Sequence, residues 1–279
     1  MIYGSADISA VVCTLDSIAT VQRCLSALRL AGVGEIIVVD GGSSDGTRDV
    51  AAEMADVLLE DPGKGLGVAR NIGIAHTSLP MVLNCGSDNV VDEAALATMI
   101  DTLHEEAVHG VSALTRVEGG SYLARSMNDY RAARFRPGRA SVIGTPSLFI
   151  GDLLRGSPYD PHRRFSDDSE LCERWRTEFG SSFAISPAEV LEIGKATIAE
   201  TRSRCKIYGI SDDEVYQAGI ASGWDLARRY RSLMHPARVD LVEPLIRLGA
   251  VRGIVRVPFL LAITSLRYAA WRRAAVRSG

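Results

Sequence analysis

The sequence lacks the cysteine patterns that mark disulfide-bonded or zinc-binding proteins. Its 279 residues include five cysteines, an odd number, and no two of them form a Cys-x-x-Cys pair. None has a histidine partner at the spacing of a zinc site. The positions are Cys13, Cys24, Cys85, Cys172 and Cys205. We therefore expect reduced thiols in the core of a cytosolic protein.

Targeting signals and long apolar segments are also missing. The N-terminus has no basic segment followed by an apolar stretch, so we expect no secretory signal. The apolar run from Val257 to Leu266 is shorter than the about 20 residues that a membrane-spanning helix needs. There is no internal repeat and no low-complexity linker. These absences favour a folded protein without a membrane span.

Charge is divided unevenly along the chain, whose formal net charge is only -3. Residues 1–199 hold 17 basic and 27 acidic side chains, whereas residues 200–279 hold 14 basic and 7 acidic ones. An apolar content of 47% can fill a sizeable core at this length. We therefore predict an acidic domain at 1–199 and a basic helical extension at 200–279.

The first hundred residues alternate strand-like and helix-like segments with short connections. Strands are predicted near 8–13, 35–39, 56–59 and 80–84, and later near 110–116 and 146–150. Helices are predicted near 17–30, 46–54, 65–76 and 92–103. The alternation favours an α/β fold with a parallel sheet and right-handed crossovers. A polar, arginine-rich stretch at 119–138 interrupts it.

Residues 38–47 combine a strand end with turn chemistry. The β-branched run 35–39 stops at Asp40, and glycines and serines follow it. A buried strand would thus deliver this carboxylate to its carboxyl end, which is the edge where open α/β sheets bind ligands. Asp45 is placed to cap the next helix, with ligand contact as the alternative.

Four segments in order carry a family resemblance: residues 7–14, 38–47, 63–73 and 81–90. Together they resemble the inverting glycosyltransferase family 2, although residues 14–16 read Thr-Leu-Asp where the family usually has Thr-Tyr-Asn. The resemblance covers about the first 190 residues. It implies the GT-A fold, a Rossmann-like, mostly parallel sheet flanked by helices, here with a C-terminal helical extension. It also implies a nucleotide-sugar donor.

The same resemblance assigns a set of residues to the nucleotide. Arg70 would face it, Asn71 would stabilise the loop, and Lys64 with Arg70 would offset diphosphate charge. The residues assigned are Cys13, Thr14, Asp16, Asp40, Lys64, Arg70, Ser87 and Asp88. Residues 162–164 could belong to a loop that closes over the diphosphate, or they could be solvated surface charges.

The segment 81–90 aligns with the family's metal signature, Asp-x-Asp. Gly86 replaces the first Asp, so Asp88 is the one carboxylate, with Asn89 as a neutral oxygen donor beside it. Mg²⁺ or Mn²⁺ needs few protein ligands when diphosphate and water fill the other positions. We therefore predict a metal site at Asp88, and the alternative is a polar turn before a helix.

The segment 165–175 resembles the family's acidic block before a helix. Alignment on Leu171 makes Asp168 the catalytic base, with Asp167 as the second candidate. Inverting transfer needs such a carboxylate to deprotonate an acceptor hydroxyl. The alternative is that these acids favour the helix dipole as first-turn residues.

The C-terminal residues are predicted to form a different kind of structure. A turn at 206–209 would precede a capped helix from Ser211 to about Tyr230. After Glu243 there is no acidic residue, and seven arginines alternate with apolar segments and end near Tyr268 and Trp271. This pattern favours a basic amphipathic helix on an anionic membrane surface. A packing helix or a homodimer interface is the alternative, and nucleic acid is a poorer partner.

These features lead to one expected function and two alternatives. The resemblance implies an inverting, cytoplasmic transferase, peripheral on the inner face of the cell membrane. It would move a sugar from a nucleoside diphosphate, most simply UDP, to a hydroxyl of a lipid-linked or surface-glycan acceptor. The alternatives are a soluble transferase that decorates a small natural product and, because of Gly86, a non-catalytic nucleotide-binding scaffold.

Overall fold

The computed structural model describes residues 3–61, 63, 65–162 and 167–278. They divide into a sheet unit, residues 1–116 with 136–194, and a helical unit, residues 117–135 with 195–279. The sequence predicted one boundary after residue 199. The structure instead groups 117–135 with the C-terminal residues, because Asp129 pairs with Arg256 at 2.7 Å and Tyr130 packs edge-on against Phe259.

Nine strands form one sheet among the described residues. They are β1 (Ile8–Thr14), β2 (Glu35–Asp40), β3 (Val57–Glu60), β4 (Met81–Gly86), β5 (Asn89–Val90), β6 (Gly110–Val117), β7 (Gly138–Ala140), β8 (Ser147–Ile150) and β9 (Phe183–Glu192). Their order is β3-β2-β1-β4-β8-β6-β9-β5, and β7 pairs with β9.

Helices occur in both units. They are α1 (Val21–Leu30), α2 (Thr47–Met54), α3 (Leu66–Ala75), α4 (Glu93–Glu105), α5 (Tyr122–Arg134), α6 (Gly151–Gly156), α7 (Asp167–Phe179), α8 (Ile198–Ala221), α9 (Leu226–Leu233), α10 (His235–Ala237) and α11 (Glu243–Ser278). A 3-10 turn at Ser5–Asp7 and a π-helical turn at Arg238–Val242 complete the set.

The predicted α/β class is confirmed, with a parallel and an antiparallel part. The pairs β3–β2, β2–β1 and β1–β4 are parallel, as the alternation predicts. Beyond β4 the sheet becomes antiparallel, because β8 runs antiparallel to both β4 and β6. The sequence did not predict β5, β7 or β9. Consequently the carboxyl ends of β1, β2 and β4 lie together at one edge.

Alternating residues of β1 face two cores. Ile8, Ala10 and Val12 pack with α1 and α4, whereas Val11 packs with the opposite cluster around Trp175 of α7. On that second face α3 approaches the sheet closely at Gly73. A Cβ there would lie 2.4 Å from Val11 Cγ1, so only glycine fits between helix and strand.

The helical unit buries an apolar cluster of its own, which includes Met127, Tyr130, Phe259, Leu260 and Ile263. The predicted turn at 206–209 and the helix start at Ser211 are wrong, since both lie inside α8. Position 209 is helical but tightly packed. A Cβ on that glycine would lie 2.4 Å from the Arg267 carbonyl oxygen, which explains a glycine in mid-helix.

The predicted membrane face of the tail is also different in the structure. Phe259, Leu260 and Ile263 are buried in the helical unit, and Trp271 is buried and stacked on Tyr268. Helix α11 is interrupted at Gly249, whose φ is 73°. Within the described residues, no helix has the length and hydropathy required to cross a bilayer. The apolar run 257–266 therefore supplies a core with three of its large side chains, while Leu261 stays 47% exposed.

Candidate active site

Asp40 ends β2 and organises the turn that follows. Its side chain is fully buried, and each carboxylate oxygen accepts two hydrogen bonds. Thr14 Oγ1 and Ser43 Oγ donate to Oδ1 at 3.0 and 2.6 Å, and the Gly42 and Ser43 N–H groups donate to Oδ2 at 3.1 and 3.0 Å. Burial alone would raise the pKa of Asp40, but these donors outweigh it and lower the pKa.

The predicted nucleotide residues Asp16 and Asp40 lie at the same edge of the sheet, where both form hydrogen bonds with Ser43. Asp16 adopts a positive φ of 44° and accepts from the Ser44 N–H at 2.9 Å, while its own N–H donates to Ser43 Oγ at 2.9 Å. Asp16 is exposed, whereas Asp40 is not. Of these two residues, Asp16 therefore offers the exposed carboxylate, and contact of either residue with nucleotide stays a prediction.

Asp45 stabilises the start of α2, as the capping interpretation predicts, but from one position earlier. The residue at the cap itself is Gly46, and Asp45 Oδ1 accepts from the Thr47 N–H at 3.0 Å. Its Oδ2 accepts from the Ile18 N–H at 3.0 Å. The Thr47 hydroxyl also donates to Oδ1, at 2.5 Å, and this bond is the main reason that the pKa of Asp45 is lowered. Asp45 therefore connects the β1 and β2 loops.

Ser87 belongs to the same network of loops. Its hydroxyl donates to Ser17 Oγ at 3.0 Å, and the Ser17 N–H donates to Thr47 Oγ1 at 2.7 Å. The loops after β1, β2 and β4 are thereby joined by hydrogen bonds between their own residues. This brings Ser87 close to the other predicted donor-site residues.

The predicted metal site is only partly as expected. Asp88 lies between β4 and β5, but the Asn89 side chain is buried and its Oδ1 accepts from the Gly86 N–H at 2.9 Å. Asn89 thus stabilises the turn through this oxygen, and its role as an oxygen donor to a metal stays a prediction. A Cβ at Gly86 would lie 2.6 Å from Asp88 Oδ1, so a second carboxylate there would displace the first. No group of three or more acidic, His or Cys side chains suited to a metal occurs among the described residues.

Arg70 of α3 brings together the predicted donor and base residues. Its Nη1 donates to Asp167 Oδ2 at 2.6 Å and to Asp168 Oδ1 at 3.3 Å, and its Nη2 donates to Thr145 Oγ1 at 2.7 Å. The guanidinium also lies 5.0 Å from the centre of the Tyr159 ring. Burial would lower the pKa of Arg70, but the surrounding anions raise it, so the cation is permanent.

Tyr159, which the sequence did not single out, holds Asp168 from the other side. Its buried hydroxyl donates to Asp168 Oδ1 at 3.3 Å and accepts from Asn84 Nδ2 at 2.8 Å. Asn71 holds the Tyr159 backbone through bonds of 2.7 and 3.0 Å, which fits the loop-stabilising role predicted for it. One signal was present in the sequence: Asn84 is a polar residue inside an apolar strand.

Asp168 is the carboxylate with the environment of a base. Its pKa is raised, first by burial and then by the charge of Asp167, against the opposing effects of Arg70 and Tyr159. Its side chain is 26% exposed. Both hydrogen bonds go to Oδ1, and no described residue donates to Oδ2. One oxygen is therefore open to an incoming hydroxyl.

The remaining predicted residues are placed as follows. Burial raises the pKa of the Cys13 thiol to about 12, so it is neutral, and the Thr14 hydroxyl is committed to Asp40. Lys64, Arg163 and Arg164 lie outside the described residues. His162 is exposed, and its N–H donates to Asp160 Oδ1 at 2.9 Å. For this part of the chain the loop hypothesis stays a prediction.

Comparison with known proteins identifies the family. The model of glycosyl transferase family 2 matches residues 9–154, which is more than half of the chain. Glycosyltransferase AglJ of Haloferax volcanii is 30% identical over 97 residues, or 34% of this chain and 32% of that protein. AglE of the same organism is 31% identical over 81 residues, or 25% and 27%. The chain thus matches about a third of the length of these relatives, and it belongs to glycosyltransferase family 2.

Solved structures share the fold. S. aureus TarS residues 1–349 superpose with a TM-score of 0.53 at 12% identity, covering 96% of this chain and 89% of that one. TarS has also been solved with UDP-GlcNAc. Glucosyl-3-phosphoglycerate synthase of Mycobacterium tuberculosis, solved with Mg²⁺ and UDP, gives 0.50 at 20% identity and covers 65% and 69%. The predicted GT-A fold is confirmed.

Proposed function

We propose that this protein is an inverting glycosyltransferase that uses a nucleoside diphosphate sugar, with UDP as the nucleotide, and a hydroxyl acceptor. One observation carries the proposal: Asp168 combines a raised pKa, an oxygen without a donor among the described residues and rigid support by Arg70 and Tyr159. A carboxylate with these properties suits general base catalysis near neutral pH. Purely first-turn acids would not need such support.

The proposed step follows from this arrangement. Asp168 Oδ2 accepts the proton of the acceptor hydroxyl as that oxygen attacks the anomeric carbon. The new carbon–oxygen bond forms on the face opposite the departing diphosphate, which leaves with the electrons of the broken bond. Arg70 holds the base in place and keeps it ionised, because its charge opposes the pKa increase caused by burial. It therefore acts as a positioning residue.

Donor binding is proposed for the edge formed by β1, β2 and β4. Asp16 is exposed there, and Ser87 and Asp88 approach from the β4 side. A single carboxylate at Asp88 fits Mg²⁺ or Mn²⁺ that is held mostly by diphosphate oxygens and water. When bound, such an ion would offset the charge that develops on the leaving diphosphate. Asp40, with four internal hydrogen bonds, acts here by shaping the turn.

We also propose a lipid-linked acceptor and attachment to an anionic membrane surface. The support is the distribution of exposed large apolar side chains among the described residues. Eighteen belong to the helical unit, and six belong to the larger sheet unit. Apolar exposure on this scale is a feature of interaction surfaces.

The transferase proposal is tested by following UDP release from UDP-glucose and UDP-GlcNAc in the presence of Mn²⁺ and polyprenyl phosphate. Asp168→Asn should abolish most turnover, while Asp152→Asn, a change of a fully exposed carboxylate, should not. Calorimetry should detect UDP binding to both variants. Failure of the wild type to bind UDP would overturn the proposal. Binding without turnover by any of these substrates would favour the scaffold alternative.

Metal dependence has its own test. Asp88→Asn should lose Mn²⁺-dependent turnover and reduce Mn²⁺ binding in calorimetry with UDP present, because no second carboxylate stands at position 86. Turnover that persists unchanged with EDTA would contradict the metal site and leave the base assignment intact.

A further inference from the structure

Helix α9 exposes an apolar stripe that no described residue covers. None of its residues is buried. Leu226 is 81% exposed, Tyr230 63%, Leu233 41% and the following Met234 42%. Residues at i, i+4, i+7 and i+8 share one side of a helix. A helix of eight residues is marginal in water and usually depends on packing such a face, so this exposure requires another source of stability.

The ends of α9 are fixed by contacts that leave the stripe open. Asp225 caps the first turn by accepting from the Arg228 N–H at 2.7 Å. Trp224 packs against Gly219 of α8, where a Cβ would lie 2.3 Å from the indole, and Arg229 Nε donates to the Trp224 carbonyl at 2.9 Å. At the other end the Tyr268 hydroxyl donates to the Leu233 carbonyl at 2.7 Å. The helix is thus held in place with its apolar side outward.

Beyond the capping Asp225, which precedes Leu226, the charged residues of α9 are all arginines. Between Asp225 and Asp240 there is no acidic residue, and the arginines outside the stripe are Arg228, Arg229, Arg231 and Arg238. Two copies of α9 packed face to face would bring like charges together, which disfavours a symmetric dimer. Apolar side chains flanked by arginine instead match an anionic lipid surface, where the apolar groups enter the headgroup boundary and the cations meet lipid phosphate.

From these contacts and charges we infer that α9, and not the apolar run 257–266, is the element that docks this protein on anionic membranes. Leu226, Tyr230 and Leu233 insert, and the arginines stay at the level of the headgroups. The inference rests on the membrane setting proposed above but not on the transfer chemistry, because vesicle binding and UDP release are separate measurements.

The test is flotation of the full chain with vesicles of phosphatidylcholine alone or mixed equally with phosphatidylglycerol. The wild type should float only with the mixed vesicles. Replacing Leu226, Tyr230 and Leu233 by Gln should lower the affinity at least about tenfold. Replacing Arg228, Arg229 and Arg231 by Gln should lower it about 100-fold, and high salt should mimic that loss. None of the replaced residues is buried, so the apolar variant should unfold at the wild-type temperature, and the arginine variant should lose at most the stability that the Arg229 bond to the Trp224 carbonyl contributes.

Matched controls come from exposed positions of α11. Val251, Ile254 and Val255 changed to Gln control for apolar area, and Arg252, Arg272 and Arg273 changed to Gln control for charge. Both controls should float like the wild type. If the controls lose binding and the α9 variants do not, the docking face lies on α11 and the inference is wrong. A wild type that never floats with vesicles overturns the inference too. Light scattering also overturns it if the wild type is a dimer and the α9 apolar variant is a monomer.

Discussion

Two buried arginines, one in each unit, hold two carboxylates with very different results. In the sheet unit Arg70 pairs with Asp167 and Asp168. In the helical unit Arg267 pairs with Asp212 through two bonds of 2.6 and 2.8 Å, and with Asp240 at 2.9 Å. Composition alone does not distinguish these clusters.

The two clusters differ in how many of their carboxylate oxygens accept a hydrogen bond. Asp240 is 2% exposed, and its second oxygen accepts from the Tyr130 hydroxyl at 2.6 Å and from Arg134 at 2.9 Å. All four oxygens of the helical cluster are therefore used. Asp168 keeps one oxygen without a donor among the described residues and has a raised pKa. A saturated cluster stabilises a fold, whereas an open one can accept a proton.

The strongest test of this contrast replaces one carboxylate by an amide in each cluster. Asp168→Asn should reduce turnover by about 10²- to 10⁴-fold, the usual contribution of a general base. Its UDP affinity and unfolding midpoint should change little. Asp240→Asn should do the opposite, keeping turnover while lowering stability, because Arg134 and Arg267 lose an anionic partner. Steady-state kinetics and urea unfolding of both variants measure this.

Asp167→Asn is the neighbouring control for the base. Its loss of turnover should be milder than that of Asp168→Asn, since Arg70 binds Asp167 more closely, at 2.6 Å against 3.3 Å, and the Asp167 side chain is less exposed, at 16% against 26%. The reverse ranking would move the base by one residue. It would also mean that alignment on Leu171 misassigns it.

Replacing either arginine should lower the free energy of unfolding, and the two losses should differ by a smaller margin. Arg267→Met removes the cation between two carboxylates that are almost completely buried, which costs about 3–5 kcal/mol of unfolding free energy. Arg70→Met should cost less, about 1–3 kcal/mol, because solvent reaches Asp167 and Asp168 and protonation of Asp168 offers relief. Urea midpoints at neutral pH give both values. Equal losses would make the Arg70 cluster structural as well.

The strands and helices of the sheet unit were predicted from the sequence more accurately than the helices of the helical unit. Periodicity and turn residues predicted the first four strands and helices, because short connections leave each segment its own local signal. They missed β9, and they missed α5, whose apolar content is low and which depends on a Ser121 cap and on packing with α11. The burial of Phe259, Leu260 and Ile263 was not predicted, because apolar residues of a buried helix and of a membrane-facing helix have the same spacing.

Site prediction shows the same limit at the level of single residues. Motifs singled out Asp40, Asp88 and Asp168 as candidates, since each stands in an ordered block. They could not reveal that Tyr159 and Thr145 converge on Arg70 and Asp168 from loops distant in sequence. Nor could they reveal that Asn89 is occupied by the Gly86 N–H. Such partners depend on three-dimensional packing.

The most subtle prediction concerns the pH dependence of turnover. A base must be ionised, so activity falls as pH drops through the pKa of Asp168, and the raised pKa puts this acid limb above the range of an ordinary carboxylate. The charge of Asp167 raises that pKa, so Asp167→Asn should move the limb to lower pH. The Tyr159 hydrogen bond lowers it, so Tyr159→Phe should move the limb to higher pH. Profiles of kcat/KM against pH for the two variants and the wild type measure the shifts, and the maximal rate should change much less than in Asp168→Asn. Two variants that move the limb in the same direction would show that Asp168 is not the group that titrates.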